Sequence, residues 1–377
     1  MAIIFRVLRA TLTVTLAVAG FIVLLSMYYK SPPSPKCHPR PAQSGWLTNQ
    51  ANFSGTSVVT EQPNSPAVTE NTDKPILLLW FWPENKSFDF KDCKTLFKID
   101  SCHLTDDRSL YSRAHGVLVF HRAIKDDLSN LPPSPRARFQ RWIWFNMDPP
   151  ASTRRIAGIQ GLFNLTMSYR KDADIHVRWR LTPKKNMDDF VLPKKERLLC
   201  WIVDGDDLHT KSAEGYSYFR ELIKHIEVDV YDRSSAEFSQ GENYFLTISS
   251  CKFYLSFEES THRDYITETF NGPLAAGTVP IVLGPPRRNY EDFAPGTSFI
   301  HVNDFHDAAT LAEFLLTLDK DNEAYMRYFN WRRFYTARRH PVEENHEFAH
   351  AICQACHHVG LNSVYRVVPD LYKWLLL

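Results

Sequence analysis

The sequence has almost no excess of either charge, with 44 Lys and Arg against 43 Asp and Glu, for a formal net charge of +1. Without a bulk field of one sign, nothing predicts a nucleic-acid partner. Cys353-Gln-Ala-Cys356 is the sole Cys-x-x-Cys, so no second one exists to complete a four-cysteine zinc site. There is no internal repeat either. What remains is an ordinary globular composition, and 377 residues leave room for two domains.

A further absence concerns positive charge within one segment. Ser256–Gly284 contains a short apolar strand, an acidic pair, a small-residue helix and a second apolar strand, a pattern typical of a nucleotide pocket. Bound phosphates normally require a cation, yet no Lys or Arg occurs between Ile266 and Ile281. The segment therefore raises the question of which group would face a bound diphosphate.

Side chains of this segment suit a sugar or nucleoside ligand. Glu258, Glu259 and Glu268 could orient sugar or ribose hydroxyls, and Tyr254 and Tyr265 could stack on a ring and form hydrogen bonds. A close-packed helix–strand turn with no ligand explains the composition equally well.

The N-terminus predicts a membrane anchor. Arg6 and Arg9 precede Ala10–Tyr29, about 20 apolar or small residues, which is enough to span a bilayer as a helix. A cleaved signal peptide would have a shorter apolar core and a small-residue cleavage site. We therefore expect a cytoplasmic tail at 1–9, a signal anchor at 10–29 and a flexible Pro- and Ser-rich stem at 30–73, with the rest of the chain in the lumen.

The lumenal expectation extends to glycans and disulfides. Glycosylation sequons occur at three positions, Asn52, Asn85 and Asn164. An oxidising lumen favours disulfides among the seven cysteines. Cys37, in the stem, is the odd one and could link two chains into a homodimer.

The body of the chain alternates strand-like and helix-like segments, which predicts α/β units with right-handed crossovers. Two sets of such units stand on either side of the Lys- and Pro-rich break at Pro183–Lys195. We predict two Rossmann-like domains facing each other across a cleft. The strongest helix candidate is Asp307–Lys320, in which Asp307 can cap. The predicted strands are Pro75–Trp82, Gly116–His121, Arg141–Asn146, Leu198–Val203, Ile226–Tyr231, Lys252–Phe257, Val279–Gly284 and Ser298–Val302.

Two acidic positions outside that segment are also candidates. Asp204-Gly205-Asp206 follows an apolar strand and has residue types that suit Mg²⁺ or Mn²⁺, although a solvated turn is the more common meaning of such a pattern. Asp148 follows another strand and precedes two prolines. Its carboxylate could act as a general base on a hydroxyl, or it could form an Asx turn.

Taken together, several segments resemble the α-1,3-fucosyltransferases that build Lewis-type antigens in the Golgi. The resemblance runs in order from about Ile76 to the C-terminus, and its upstream part is similar to the Lewis-x-forming branch. The segments that carry it are CHLTDDRSLY, NLPP, FQRWIWFNMDPP, LFNLTMSYRKDADI, CKFYLSFEES followed by DYITE, GTVPIVLGP, NYEDFAPGTSFIHVNDF and YFNWRRFY.

The resemblance implies a single-pass type II Golgi membrane protein of GT-B architecture that moves L-fucose from GDP-fucose to the GlcNAc of N-acetyllactosamine, with inversion and without a required metal. It implies an acceptor-side domain at 74–180 plus 340–377 and a donor domain at 181–339. It also implies three disulfides: Cys93–Cys353, Cys102–Cys356 and Cys200–Cys251.

Carried over residue by residue, the resemblance is uneven. Tyr254, Tyr265 and Glu268 match donor-contact positions, Ile202 is a conservative change, and Asp148 stands where the family has a glutamate base. Other positions depart from the family: Thr269 replaces a lysine, Gly215 an arginine, Glu259 an asparagine, Asp204-Gly205 a Ser-Asn pair, Trp179 a tyrosine, and Lys86 an acceptor-side glutamine.

The lost lysine and arginine would face the pyrophosphate in the family. Arg263, Arg287 or Arg288 could substitute for them, or Mn²⁺ could bridge Asp204, Asp206 and the phosphates. The alternative hypothesis is a catalytically impaired relative that binds glycans or partners in the Golgi.

Overall fold

The computed structural model describes residues 74–133, 135–177, 181–185, 190–203, 213–232, 241–337 and 348–377. All of them belong to one compact unit, Glu70–Leu377. Within these ranges no helix is both long and apolar enough to cross a bilayer. The predicted anchor at 10–29 and stem at 30–73 lie outside the described residues.

The first half of the unit forms a parallel six-stranded sheet of order β2-β1-β3-β4-β5-β6. The third and fourth strands are buried along their whole length, as expected for apolar runs in a parallel sheet covered on both faces. The strands are β1 (Ile76–Leu79), β2 (His103–Thr105), β3 (Gly116–Phe120), β4 (Arg141–Phe145), β5 (Leu165–Ser168) and β6 (Ile175–His176).

The second half forms a parallel five-stranded sheet of order β12-β11-β10-β8-β9. A short antiparallel pair, β7 with β13, joins residues from either side of this sheet in the sequence. The strands are β7 (Thr182–Pro183), β8 (Arg197–Val203), β9 (Asp229–Asp232), β10 (Cys251–Phe257), β11 (Val279–Leu283), β12 (Ile300–His301) and β13 (Tyr335–Thr336).

Helices cover the faces of both sheets. The α-helices of the described residues are α1 (Asp92–Thr95), α2 (Ala213–Leu222), α3 (Gly241–Ser250), α4 (Glu268–Ala276), α5 (Arg287–Glu291), α6 (Ala308–Lys320), α7 (Asn322–Arg327), α8 (Ala349–Leu361) and α9 (Leu371–Leu376). Short 3₁₀ helices occupy Pro83–Asn85, Arg108–Arg113, His121–Ala123, Val302–Asp304 and Asn330–Arg333.

The C-terminal segment returns to the first sheet. Ile352 of α8 packs in the same cluster as Leu77 and Ile143, whereas Leu371 of α9 packs with Leu78 on the opposite face. Neighbouring residues of β1 point to opposite faces because side chains alternate along a strand. The two last helices therefore complete the cores on both sides of a sheet formed by residues 76–176.

Disulfides reinforce this return. Cys93 of α1 is bonded to Cys353 of α8, and Cys102 is bonded to Cys356 on the next turn of the same helix. The third bond, Cys200–Cys251, joins neighbouring strands of the second sheet. All three pairings implied by the resemblance are confirmed, and both cysteines of the Cys-x-x-Cys are held in these bonds.

The sequence placed most elements correctly but not their limits. The helix at 308–320 is confirmed, and the Asp307 side chain accepts a hydrogen bond from the Thr310 amide at 2.8 Å. The next helix, α7, ends at Arg327, and beyond it Phe329 packs in one hydrophobic cluster while Trp331 packs in another. The sequence analysis missed β2, β5, β6, β7 and β13, which are short.

Candidate active site between the two sheets

Asp148 follows β4 at the carboxyl end of the first sheet and is 7% exposed. The Asn146 side chain fixes the loop that carries Asp148. Its Nδ2 donates to the Asp148 backbone carbonyl at 3.2 Å and to Thr153 Oγ1 at 2.9 Å. The Asp148 amide in turn donates to Asn146 Oδ1 at 3.4 Å. The turn therefore depends on the Asn146 side chain, and the Asp148 carboxylate is left for other contacts.

That carboxylate contacts Arg122, which follows β3. Arg122 Nε lies 3.0 and 2.8 Å from the two carboxylate oxygens, and Nη2 lies 2.5 Å from Oδ1. These hydrogen bonds are the main cause of a raised Arg122 pKa. The third nitrogen, Nη1, donates to Glu84 at 3.0 Å, and Glu84 also pairs with Lys86 at 3.1 Å. The predicted acceptor-side Lys86 is thus linked through two residues to the predicted base.

Tyr265 and Glu259, after β10 of the second sheet, face the Asp148 loop. Ser152 of that loop donates to Glu259 Oε1 at 2.9 Å, and Tyr265 Oη lies 3.4 Å from Glu259 Oε2. The Tyr265 ring packs edge-on against Tyr169 with centroids 5.1 Å apart. Burial, then the charges of Glu258, Glu259 and Asp148, raises the Tyr265 pKa, so its hydroxyl stays a neutral donor at physiological pH. The structure therefore brings Asp148, Tyr265 and Glu259 to one junction.

The N-terminus of α4 adjoins this junction, and protein groups already occupy it. The Thr267 amide donates to Glu258 Oε1 at 3.0 Å, and the Thr267 hydroxyl caps the helix by accepting from the Thr269 amide at 3.2 Å. Glu268, in the first turn, accepts from Asn271 at 3.2 Å. Glu258 and the Thr267 hydroxyl therefore already accept from two backbone amides at this end of the helix, and the negative charge of Glu258 offsets part of the helix dipole.

The three arginines considered as replacements differ in their surroundings. Arg287 pairs with Glu291 and Asp304 and donates to the Gly296 carbonyl, so all three of its nitrogens already contact protein oxygens. Arg263 is exposed, with Nε 3.6 Å from Asp264. Arg288 is exposed and has no ion pair with any residue that the structure describes.

Two family models match in succession along the chain. Residues 72–180 match the model described as "Fucosyltransferase, N-terminal", and residues 192–374 match "Glycosyltransferase family 10 (fucosyltransferase) C-term". The chain belongs to glycosyltransferase family 10, the fucosyltransferases. The two models divide between β6 and β8, where the first sheet ends and the second begins.

Two relatives of this fucosyltransferase match it over nearly its whole length, and a third matches most of it. The mouse (Mus musculus) enzyme named 4-galactosyl-N-acetylglucosaminide 3-alpha-L-fucosyltransferase 9 is 41% identical over 370 residues, 98% of this chain and 97% of the relative. The human enzyme of the same name is 40% identical over the same share. The chimpanzee (Pan troglodytes) enzyme named 4-galactosyl-N-acetylglucosaminide 3-alpha-L-fucosyltransferase FUT6 is 40% identical over 304 residues, 78% of this chain and 80% of the relative.

A solved structure is also similar. The crystal structure of an alpha1,3-fucosyltransferase with GDP-fucose is 14% identical and has a TM-score of 0.48, covering 80% of this chain and 96% of that chain.

The remaining predicted donor contacts of this fucosyltransferase differ in burial, and some lie outside the described residues. Tyr254 and Ile202 are 1% and 2% exposed and pack in one small cluster beside the Cys200–Cys251 bond. Thr269 is half-buried, and Gly215 is buried in α2. Trp179, Asp204, Gly205 and Asp206 lie outside the described residues. Within those residues no group of three or more His, Cys, Asp and Glu could hold a metal ion.

Two predicted sequons lie within the described part of the chain. Asn85 is exposed. Asn164 is fully buried: its amide nitrogen donates to the Arg366 carbonyl at 2.6 Å, and its Oδ1 accepts from the Trp142 amide at 2.9 Å. A glycan on Asn164 would require the packing around this fully buried side chain to open. Asn52 lies outside the described residues.

The sequence analysis missed Arg122, Glu84 and Ser152. A signal was present for Arg122, since a His-Arg pair directly follows a fully buried strand, where parallel sheets place their functional side chains. Glu84 and Ser152 carry no comparable signal, because their roles depend on which loops the fold brings together.

Proposed function

We propose that this protein transfers L-fucose from GDP-fucose in α-1,3 linkage to the GlcNAc of N-acetyllactosamine glycans on proteins and lipids. The observation that carries the proposal is the 41% identity over 98% of the chain to enzymes named 4-galactosyl-N-acetylglucosaminide 3-alpha-L-fucosyltransferase. The retained carboxylate at position 148, buried at the junction of the two sheets, is consistent with it.

Asp148 is the base in this proposal. As the 3-hydroxyl oxygen of GlcNAc bonds to C1 of fucose, the hydroxyl proton passes to a carboxylate oxygen of Asp148. The bond between C1 and the phosphate oxygen breaks, and its electron pair leaves with GDP. Attack from the side opposite the leaving group inverts C1. Proton removal by a positioned carboxylate contributes about 10²–10⁴-fold to such reactions.

The two sheets serve as the two halves of a GT-B enzyme. In this proposal the acceptor binds beside Lys86 on the first sheet with its C-terminal helices, residues 74–180 and 340–377. GDP-fucose binds on the second sheet, residues 181–339, with Tyr265, Glu268 and Glu259 among its contacts. No resident metal is required, although Mn²⁺ could assist through Asp204 and Asp206.

The same proposal places the protein in the Golgi membrane as a single-pass type II protein with its catalytic part in the lumen. The apolar segment 10–29 and the three disulfides of the described residues support an oxidising compartment. Glycosylation of the sequons and a homodimer through Cys37 belong to the same proposal.

One observation favours the impaired-relative alternative. Glu258 and the Thr267 hydroxyl accept from backbone amides at the N-terminus of α4, and Arg287 is held by Glu291 and Asp304, so two sources of positive charge for a diphosphate are already engaged. A protein with this electrostatic arrangement would bind GDP weakly while keeping the fold.

The deciding experiment measures GDP release from GDP-fucose with N-acetyllactosamine as acceptor, using the full-length chain in detergent with and without Mn²⁺. Transfer is confirmed by NMR assignment of an α-1,3-fucosyl product. Asp148→Asn serves as the control for the base and should lower the rate by about 100-fold or more. No turnover by folded protein under either condition would favour the impaired relative, as would failure of GDP to bind in calorimetry.

A further inference from the structure

Four charged side chains of alternating sign run along the carboxyl edge of the first sheet. In spatial order they are Lys86, Glu84, Arg122 and Asp148, joined by contacts of 3.1, 3.0 and 2.5 Å. They follow β1, β3 and β4, which are neighbours in the sheet. The row therefore begins at the predicted acceptor contact and ends at the predicted base.

The backbone holds the second member of this row in an unusual conformation. Glu84 and the next residue, Asn85, have φ values of 52° and 58°, in the left-handed region that side chains other than glycine seldom adopt. Such a conformation is unfavourable unless the surrounding structure holds the residue there. Two in succession direct the Glu84 carboxylate to Arg122 Nη1.

We propose that Arg122, held by Glu84, is a positioning residue for Asp148. This inference rests on the proposed fucosyl transfer and adds to it a residue that orients the base. Asp148 is one methylene shorter than glutamate, so the position of its carboxylate relative to the sugar hydroxyl depends more on the residues around it. The planar guanidinium contacts both carboxylate oxygens through Nε and Nη2, which fixes the rotation of the carboxylate as a single donor could not.

The arrangement leaves the base able to react. Each carboxylate oxygen can accept two hydrogen bonds, and Oδ2 accepts only from Nε among the Arg122 nitrogens. One acceptor direction on Oδ2 is therefore left by Arg122 for the sugar hydroxyl. Glu84 and Asp148 hold Arg122 between them, so removing either carboxylate frees the guanidinium to move.

The test compares Arg122→Ala with the wild-type chain, using kinetics for both substrates and hydrogen exchange of residues 146–153. We expect kcat to fall by about 100-fold, since a misplacement of about 1 Å can have this effect. The KM for GDP-fucose should change little, because Arg122 lies on the acceptor sheet. Amides of 146–153 should exchange faster, and added guanidinium should restore part of kcat.

Three further variants make the test specific. The kcat of Arg122→Lys should be lower than the kcat of Arg122→Ala with added guanidinium, because an ammonium group cannot contact both carboxylate oxygens in one plane. Glu84→Gln keeps the side-chain volume and should lower kcat in the same sense by a smaller factor, and it replaces the alanine variant if that does not fold. Arg327→Ala removes an exposed arginine paired with Glu323 on α7 and should leave all readouts unchanged.

Two results would overturn the inference. The first is an unchanged kcat in Arg122→Ala. The second is a lower kcat that added guanidinium does not restore, together with a matching loss of affinity for GDP-fucose. If the wild-type chain itself transfers no fucose, the proposed function fails. Hydrogen exchange then decides the positioning role, and unchanged exchange of 146–153 in both Arg122→Ala and Glu84→Gln would refute it.

Discussion

Replacing Thr269 with lysine tests whether missing positive charge limits nucleotide binding. Thr269 is the second residue of α4 and is half-buried. Its backbone amide, not its side chain, makes the capping contact with Thr267, so the substitution leaves the cap intact. The resemblance places a lysine here, facing the pyrophosphate. The variant should therefore regain one charge-assisted contact to GDP.

The size of the effect follows from that one contact. A hydrogen bond to a charged group contributes about 1.5–3 kcal/mol, which corresponds to about 10- to 150-fold tighter GDP binding. A positive charge in the first turn of a helix costs about 0.3–1 kcal/mol through the helix dipole. Glu268 in the same turn offsets part of this cost, so the free energy of unfolding should change by less than about 1 kcal/mol.

Calorimetric titration of GDP into the wild type and Thr269→Lys measures the gain, with thermal unfolding as the stability check. The matched control is Thr317→Lys, at an exposed position of α6, which adds the same charge away from the junction. Equal GDP affinity in the two lysine variants would refute the argument that local charge at α4 limits binding. Tight GDP binding by the wild type that neither variant changes would do so as well.

Three further predictions concern stability. Replacing both Cys200 and Cys251 with serine opens a bond with a sequence separation of 51 and should lower the free energy of unfolding by about 4 kcal/mol, measured in guanidinium; no change would mean that the bond does not constrain the unfolded chain. Gly284→Ala should cost about 1–3 kcal/mol, because its Cβ would lie 2.5 Å from the hydroxyl of fully buried Tyr290, and a wild-type melting temperature would contradict this. Burial lowers the His121 pKa, so the unfolded chain takes up this proton at a higher pH than the folded chain does. The contribution of His121 to the free energy of unfolding should therefore be full above about pH 6.5 and fall as the pH drops below that value. A protein more stable at pH 5 than at pH 7.5 would contradict this prediction.

The candidate site was only partly predictable. Asp148, Tyr265 and Glu259 were identified from their types and from their places after strands, and the fold brings them together. Arg122 went unassigned even though it makes the closest contacts to Asp148, because an arginine 26 positions earlier has no local pattern that marks its partner. Tyr254, by contrast, was assigned from its matching position, yet it lies 1% exposed within a core cluster.

By itself the sequence determined the two alternating α/β sets, and its resemblance to a known family implied the three disulfide pairings. Apolar runs dictate which segments become buried strands, and the resemblance runs through the segments that carry the cysteines. Only the tertiary structure decided which charges meet. The strands β1, β3 and β4 are neighbours in the sheet, so the loops of Glu84, Arg122 and Asp148 lie side by side. The electrostatic energy of a charged pair depends on the distance between its atoms and on their burial. Neither quantity can be read from the order of residues in the sequence.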